Sequence, residues 1–463
     1  MNNNLLARMR SGENLTLLQQ IILTLQLSAP TILAHLSTVI MQYIDASMVG
    51  QLGANDSASI GLVSSTIWLF SDLATALNIG FSVLTAQAIG AGDEKKARQL
   101  CKQAFIVAGG FALILCAVGA AISGALPQLL GGAEEIQTNA SRYFLVFAFS
   151  IPFVQINNLA VMELEATGNM KVPSICMIIM CLLDVCFNAL FIFPTREVLG
   201  IKIPGLGLGV AGAALGTLTA QAVVGAFLVY YLIRRVPEMK FRRNEKFAFS
   251  ATQLKSSIKI SLPVAAERVV SCGAQIMLTR IVAPLGAVSI AAHSFSVTAE
   301  GLCYLPGYGI MNASSAMIGQ SVGAGRKKLA FRLGWISVIL GMALMTVTGA
   351  LLYIFAPEVL GLMTPDRDVV ELGVAVLRIE LFSEPFFAAS IVGFGVFQGM
   401  GQTLIPTIMN LVSMWGVRIP LVAILTGSLG LRGTWIAMCI ELTVRGILFL
   451  GYLGIKNKKE SKG

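Results

Sequence analysis

Residues 105–126 read FIVAGGFALILCAVGAAISGAL and residues 336–356 read ISVILGMALMTVTGALLYIFA, with no charge in either. An apolar run of about 20 residues is long enough, as a helix, to cross a hydrocarbon core. Much of the chain is made of such runs. Backbone groups inside lipid must bond internally, which admits only helices or closed barrels. Barrel strands would alternate over about 10 residues; that pattern is absent, so helices are expected. Of the 463 residues, 56% are hydrophobic and 12% charged, against about 25% charged in a soluble domain.

Twelve spans are expected near 27–49, 58–88, 103–126, 140–164, 172–194, 208–233, 258–282, 288–320, 330–356, 369–397, 404–427 and 432–454. Alternate connections and the two ends hold 23 of the 33 Lys and Arg, while the opposite connections hold five. By the positive-inside rule, both termini and the long connection RRVPEMKFRRNEKFAFSATQLKSSIK are expected to be cytoplasmic. The net charge of +9 is therefore a topology signal, and no nucleic-acid partner is expected. The polar, basic start MNNNLLARMRSGEN argues against a cleavable leader. Eight cysteines without a Cys-x-x-Cys pair read as small core hydrophobes rather than a disulfide or metal framework.

The chain also repeats. Displaced by 233 residues, Pro30 meets Pro263, Gln87 meets Gln320, and Gly90-Ala91-Gly92 meets Gly323-Ala324-Gly325. Lys95 then meets Lys328, Pro152 meets Pro385, Gly168 meets Gly401 and Pro173 meets Pro406. Chance alignment of apolar segments matches Leu with Ala, not proline with proline. The expected fold is an all-α integral membrane protein of 12 transmembrane helices, arranged as two six-helix lobes about a pseudo-two-fold axis along the membrane normal. Its expected parts are a cytoplasmic segment 1–19, an N-lobe 20–233, a basic linker 234–259, a C-lobe 260–454 and a tail 455–463. Many secondary transporters share this plan, with a substrate path between halves that rock against each other. No Gly-x-x-x-x-Gly-Lys-Ser/Thr run or His-Glu-x-x-His motif is present, so neither ATP-driven nor zinc chemistry is indicated. The Gly-Ala-Gly segments are expected to close long helices.

An ionisable group at mid-bilayer costs roughly 2.5–3.5 kcal/mol on insertion scales, which makes such residues functional candidates. Asp45 lies in the first span, opposite Leu278 in the repeat, so the fold itself does not require an acid there. Asp184 and Asn188, one turn apart in the fifth span, share a helix face, and Asn157 and Asn158 lie in the fourth. The second copy offers Glu267, Glu300, and the pair Glu380 and Glu384, again one turn apart. Glu163 and Glu165 are read as solvated, and Glu441 with Arg445 as a structural i,i+4 ion pair. Arg418 is read as neutralising a buried carboxylate, and His293 as a packed, hydrogen-bonded residue. Pro30 lacks a backbone donor and is a candidate hinge.

Taken together, the first-span Pro30 and Asp45, IGAGDEKKAR and VGAGRKKLAFR, VAPLGAVSIAAHSFSVTAEGLCYLPGYGI, EATGNMKVP, GMGQTLIP and WGVRIPL resemble the multidrug and toxin extrusion (MATE) family along nearly the whole chain. The resemblance implies a non-enzymatic antiporter, free of cofactors, that exports organic cations and amphipathic compounds in exchange for inward H+ or Na+. It is expected to act as a monomer in the lipid bilayer. Carried over to this sequence, the cation site of many bacterial members comprises Asp45, Asn158, Asp184 and Asn188. Asp45 and Asp184 would be the metal ligands if Na+ is the coupling ion. The family more often places Asn before Asp in the fifth-span pair; here the order is reversed. Glu267, Glu300, Glu380, Glu384 and Arg418 are secondary candidates. Two alternatives are a lipid-linked precursor flippase, for which a cationic cavity is expected, and a membrane binding protein that transports nothing.

Overall fold

The computed structural model describes residues 2–198, 201–241, 245 and 247–462. A short α1 (Asn2–Arg10) precedes α2 (Leu17–Gly50), α3 (Ala54–Gly90), α4 (Glu94–Ile122), the single turn α5 (Leu126–Leu129), α6 (Glu134–Ala166) and α7 (Lys171–Phe191). An antiparallel hairpin, β1 (Pro194–Val198) with β2 (Ile201–Leu206), leads to α8 (Gly209–Arg235). After it come α9 (Ala251–Val282), α10 (Ala287–Gly323), α11 (Lys327–Met363), α12 (Arg367–Glu380) and α13 (Glu384–Gly399). The last three are α14 (Leu404–Ser413), α15 (Ile419–Leu429) and α16 (Leu431–Lys462). Of the expected 234–259 linker, residues 242–244 and 246 lie outside the described residues.

Among the described residues, ten helical stretches are long and apolar enough to cross a membrane, with α12–α13 and α14–α15 each counting as one. Helices α9 and α10 have the length, 32 and 37 residues, but not the apolarity. Lys255, Lys259, Glu267, Arg268 and Arg280 interrupt α9, and α10 is rich in Ser and Gly around Glu300. On α11, Ile339, Val347, Leu351 and Ile354 present an exposed apolar face, as lipid contact requires.

The chain divides into two compact units. The first comprises Ser37–Thr85 and Asp93–Ser261; the second comprises Met1–Leu36, Ala86–Gly92 and Leu262–Gly463.

In the first unit, α6 packs against α4 and α8, and α8 against α7. Phe70 of α3 meets Phe144 of α6 edge to face at 6.0 Å, beside Ala112 and Leu115 of α4. Small residues set how closely helices approach in lipid. Gly216 of α8 lies so near Asn188 of α7 that a Cβ would collide with the amide. The chain after α8 is clasped to α4: Arg98, with a side chain 4% exposed, pairs with Glu245 at 2.6 Å and Glu94 at 3.1 Å. Gln103 exchanges hydrogen bonds with the Ser250 backbone. Glu163 and Glu165, expected in solvent, are buried at 0% and 8% exposure. The end of α6 is covered by its neighbours, and Thr85 of α3 donates to Glu163 at 3.3 Å.

In the second unit, α10 packs on α11, α12 and α13, and α16 packs on α12, α13 and α15. The repeated Gln-x-x-Gly-Ala-Gly explains one tight crossing. A Cβ on Gly90 would strike the Gln320 carbonyl, and one on Gly323 would strike the Gln87 carbonyl, so each copy's glycine receives the other copy's glutamine backbone. Gly92 (φ +75°) and Gly325 (φ +73°) then end the two helices in the left-handed region, where glycine carries no Cβ penalty. Helix α2 runs unbroken through Pro30. Beside it Thr31 Oγ1 donates to the Gly309 carbonyl of α10 at 2.8 Å.

Candidate functional site

Each unit holds a cluster of carboxyl groups among its long helices. In the first unit, Asp45 comes from the last turns of α2, and Asp184 and Asn188 from one face of α7. Helical i,i+4 spacing stacks the α7 pair. The Asn188 amide nitrogen donates to Asp184 Oδ2 at 3.0 Å and to Asp45 Oδ1 at 2.9 Å, so a single amide bridges two carboxyl groups. Asp184 and Asn188 are each 1% exposed, while Asp45 is half-buried. Asp184 Oδ1 and Asn188 Oδ1 have no hydrogen-bond partner, so both acceptors are unused. Thr217 of α8 is a further neighbour of the Asp184 carboxyl, and Gly216 beside it makes room for the Asn188 amide.

Asn158 on α6 is half-buried, and no hydrogen bond joins it to Asp45, Asp184 or Asn188 among the described residues. Its neighbour Asn157 is 3% exposed and donates to Gln221 of α8 at 3.4 Å. Nearby, Gln155 of α6 donates to Asn78 of α3 at 2.8 Å, both fully buried. Sequence reasoning missed Thr217, Gly216, Gln221 and this Gln155–Asn78 pair. Thr217 and Gln221 do fall one turn apart on α8, with Gly216 adjacent to Thr217. That spacing was the available signal, but nothing in it says which helix the face meets.

In the second unit, Glu300 of α10, Glu380 at the end of α12 and Glu384 at the start of α13 converge, each offering a carboxylate oxygen within 4.8 Å of the others. All three are at least 95% buried. Glu380 and Glu384 are separated by a 3-10 turn, Leu381–Ser383, because Pro385 has no N–H with which to continue the helix. Ser383 Oγ donates to Glu380 Oε1 at 3.2 Å. Both oxygens of Glu384 and Oε2 of Glu380 have no hydrogen-bond partner. Glu267 is held elsewhere, by Asn410 at 2.7 Å and Thr407 at 3.4 Å.

Arg418 belongs to a different arrangement. It sits at the end of a π-helical turn, Met414–Arg418, and pairs with Glu441 at 2.6 Å. Arg445 takes the other carboxylate oxygen at 2.5 Å, and Ser413 Oγ donates to Glu441 as well. Glu441 is thus a fully buried carboxylate paired with both arginines. His293 is packed edge-on against Trp435 at 5.7 Å, and its Nδ1 has no hydrogen-bond partner.

The MatE family model matches this chain twice, over residues 30–190 and 263–424, the two copies of the repeat. The probable multidrug resistance protein NorM of Thermotoga maritima is 25% identical over 92% of this chain and 90% of its own length. A protein of the same description from Streptococcus pneumoniae is 24% identical over 95% and 96%. Among solved structures, an outward-facing multidrug resistance MATE family transporter of the MOP superfamily superposes with a TM-score of 0.87 at 21% identity, over 96% of this chain and 97% of that one. The doubled family match, covering most of the chain, makes this protein a member of the multidrug and toxin extrusion (MATE) family.

Proposed function

We propose that this protein is a secondary antiporter that exports cationic or amphipathic compounds in exchange for inward H+ or Na+, coupled at Asp45, Asp184 and Asn188. One observation carries the reading: a single amide bridges two carboxyls, at 2.9 and 3.0 Å. Two carboxylates sharing one site repel unless a proton or a cation accompanies them. The group therefore gains a counter-charge when an ion enters and an attraction for organic cations when it leaves. Binding of ion and of drug is mutually exclusive, and the exclusion drives exchange. Asn158 of α6 is included as a further contributor, on the family resemblance of its position.

The reading extends to the whole chain as twelve spans in two six-helix lobes, with α9 and α10 as the seventh and eighth. Both termini and the basic linker are cytoplasmic in a bacterial inner membrane, and one chain suffices for transport. Exchange of one monovalent drug for one proton moves no net charge. Each further inward charge adds about 2.3 kcal/mol per 100 mV. The carboxylate- and amide-rich group disfavours a pyrophosphate-carrying flippase, which needs cations around its cargo.

A second reading rests on the Glu300, Glu380 and Glu384 cluster, whose buried, unpaired oxygens would place coupling in the second copy. Ion-driven dye efflux from proteoliposomes separates the two. Asp45→Asn abolishes it and Glu384→Gln leaves it in the first reading; the second reading requires the reverse.

A further inference from the structure

A basic cavity at the start of α11 is used by neither reading. The repeat places Arg326 where the first copy has Asp93. Asp93 caps α4, accepting from the Lys96 amide at 2.9 Å. The matching N-terminus of α11 has no side-chain cap. Arg326 turns away from it, donating to the Met9 and Glu13 carbonyls at 3.1 and 2.6 Å and to Asn14 Oδ1 at 3.0 Å. The positive end of a 37-residue helix has therefore lost its own anion and gained a cation nearby.

That end opens on a cavity of about 720 Å³ whose lining includes Gln20, Arg326, Lys327, Lys328, Arg332 and Glu460. Four cations face one carboxylate, and Glu460 is occupied by Lys327 at 3.5 Å. Lys328 and Arg332 stand at i,i+4 on α11 with no ion pair among the described residues, an arrangement that is repulsive in itself. A second, independent sign comes from another residue of the lining. Gln20 is 3% exposed and donates to the Leu15 carbonyl at 2.8 Å, yet its Oε1 has no donor. A buried acceptor beside unpaired cations suits a ligand that carries both an anion and a hydroxyl group.

We infer that this cavity binds a phosphate-bearing anion with a hydroxyl donor. The phosphate lies between Lys328, Arg332 and the α11 amides, and the hydroxyl reaches Gln20 Oε1. The chemistry fits the glycerophosphate headgroup of an anionic lipid and also a free phosphate ester. The cavity adjoins the first turn of a membrane-length helix, where headgroups lie, and basic pockets at such places hold anionic headgroups.

The test uses delipidated full-length protein in detergent and native mass spectrometry. The probes are short-chain phosphatidylglycerol, short-chain phosphatidic acid, short-chain phosphatidylcholine and glycerol 3-phosphate. Wild type is expected to retain one phosphatidylglycerol in preference to phosphatidylcholine if the source is lipid, or glycerol 3-phosphate alone if it is soluble. Lys328→Gln with Arg332→Gln, both at exposed positions, is expected to weaken binding about 30-fold, since each facing Lys or Arg contributes a factor of about 5. Gln20→Met is a separate variant, expected to lower affinity for phosphatidylglycerol while leaving phosphatidic acid, which lacks the headgroup hydroxyl, unaffected. No saturable binding of any anionic probe to wild type, or equal binding by the double variant, overturns the assignment.

Discussion

Asn188 has one amide nitrogen for two carboxyls, and that division of labour makes the Asp184–Asn188 order testable. Exchanging them, as Asp184→Asn with Asn188→Asp, keeps one amide and one acid a turn apart. Ion-driven dye efflux is expected to survive in the exchanged variant and to fail in Asn188→Ala, which leaves the carboxyls unbridged. Glu441 makes the opposite case. It is fully buried between Arg418 and Arg445, and breaking such a buried group by removing one partner costs about 3–5 kcal/mol. Glu441→Gln should thus lower the thermal unfolding temperature of the purified protein markedly, while Asp45→Asn should not. The helix periodicity made the Asp184–Asn188 pair and the Glu441–Arg445 pair legible in advance, because both are local. Thr217 and Gly216 were not legible, since their role depends on which helix α8 meets. Glu163 was misread because nearness to the end of an apolar run was taken as nearness to water.

At the scale of elements, hydropathy located the helices and missed the departures from regular helix. The β1–β2 hairpin has too few residues to register against long apolar runs. The 3-10 turn before Glu384 and the π-turn at Arg418 arise from Pro385 and Pro420 inside otherwise continuous spans, where proline marks a break without fixing its form. The Gln-x-x-Gly-Ala-Gly repeat was legible as a helix end, but its second role, the reciprocal crossing of Gly90 and Gly323, needed the packing. Gly90→Ala or Gly323→Ala is expected to lose about 1–3 kcal/mol of stability through overpacking. Gly109→Ala, at a position with open space around it, is expected to be neutral or to gain up to about 1 kcal/mol from helix propensity. Thermal unfolding of the three variants side by side checks the contrast. Equal effects at all three positions would mean that the crossing contributes nothing.

For the whole molecule, duplication leaves two helical scaffolds whose matching positions have diverged in charge. Asp45 faces Leu278 in the repeat, and Asp93 faces Arg326. The scaffold accounts for the shared glycines and prolines; under the proposed function and the cavity inference, the differences between copies mark where ions and anions are handled. The central claim is that ion and exported compound exclude each other at the Asp45–Asn188–Asp184 group. The direct measurement is equilibrium binding of a fluorescent organic cation to purified protein, titrated with H+ and, separately, with Na+. In wild type the coupling ion should weaken dye binding by a factor of roughly 5–150, the usual range of linked sites. In Asp45→Asn the dye affinity should no longer depend on that ion. An unchanged ion dependence in Asp45→Asn would contradict the claim.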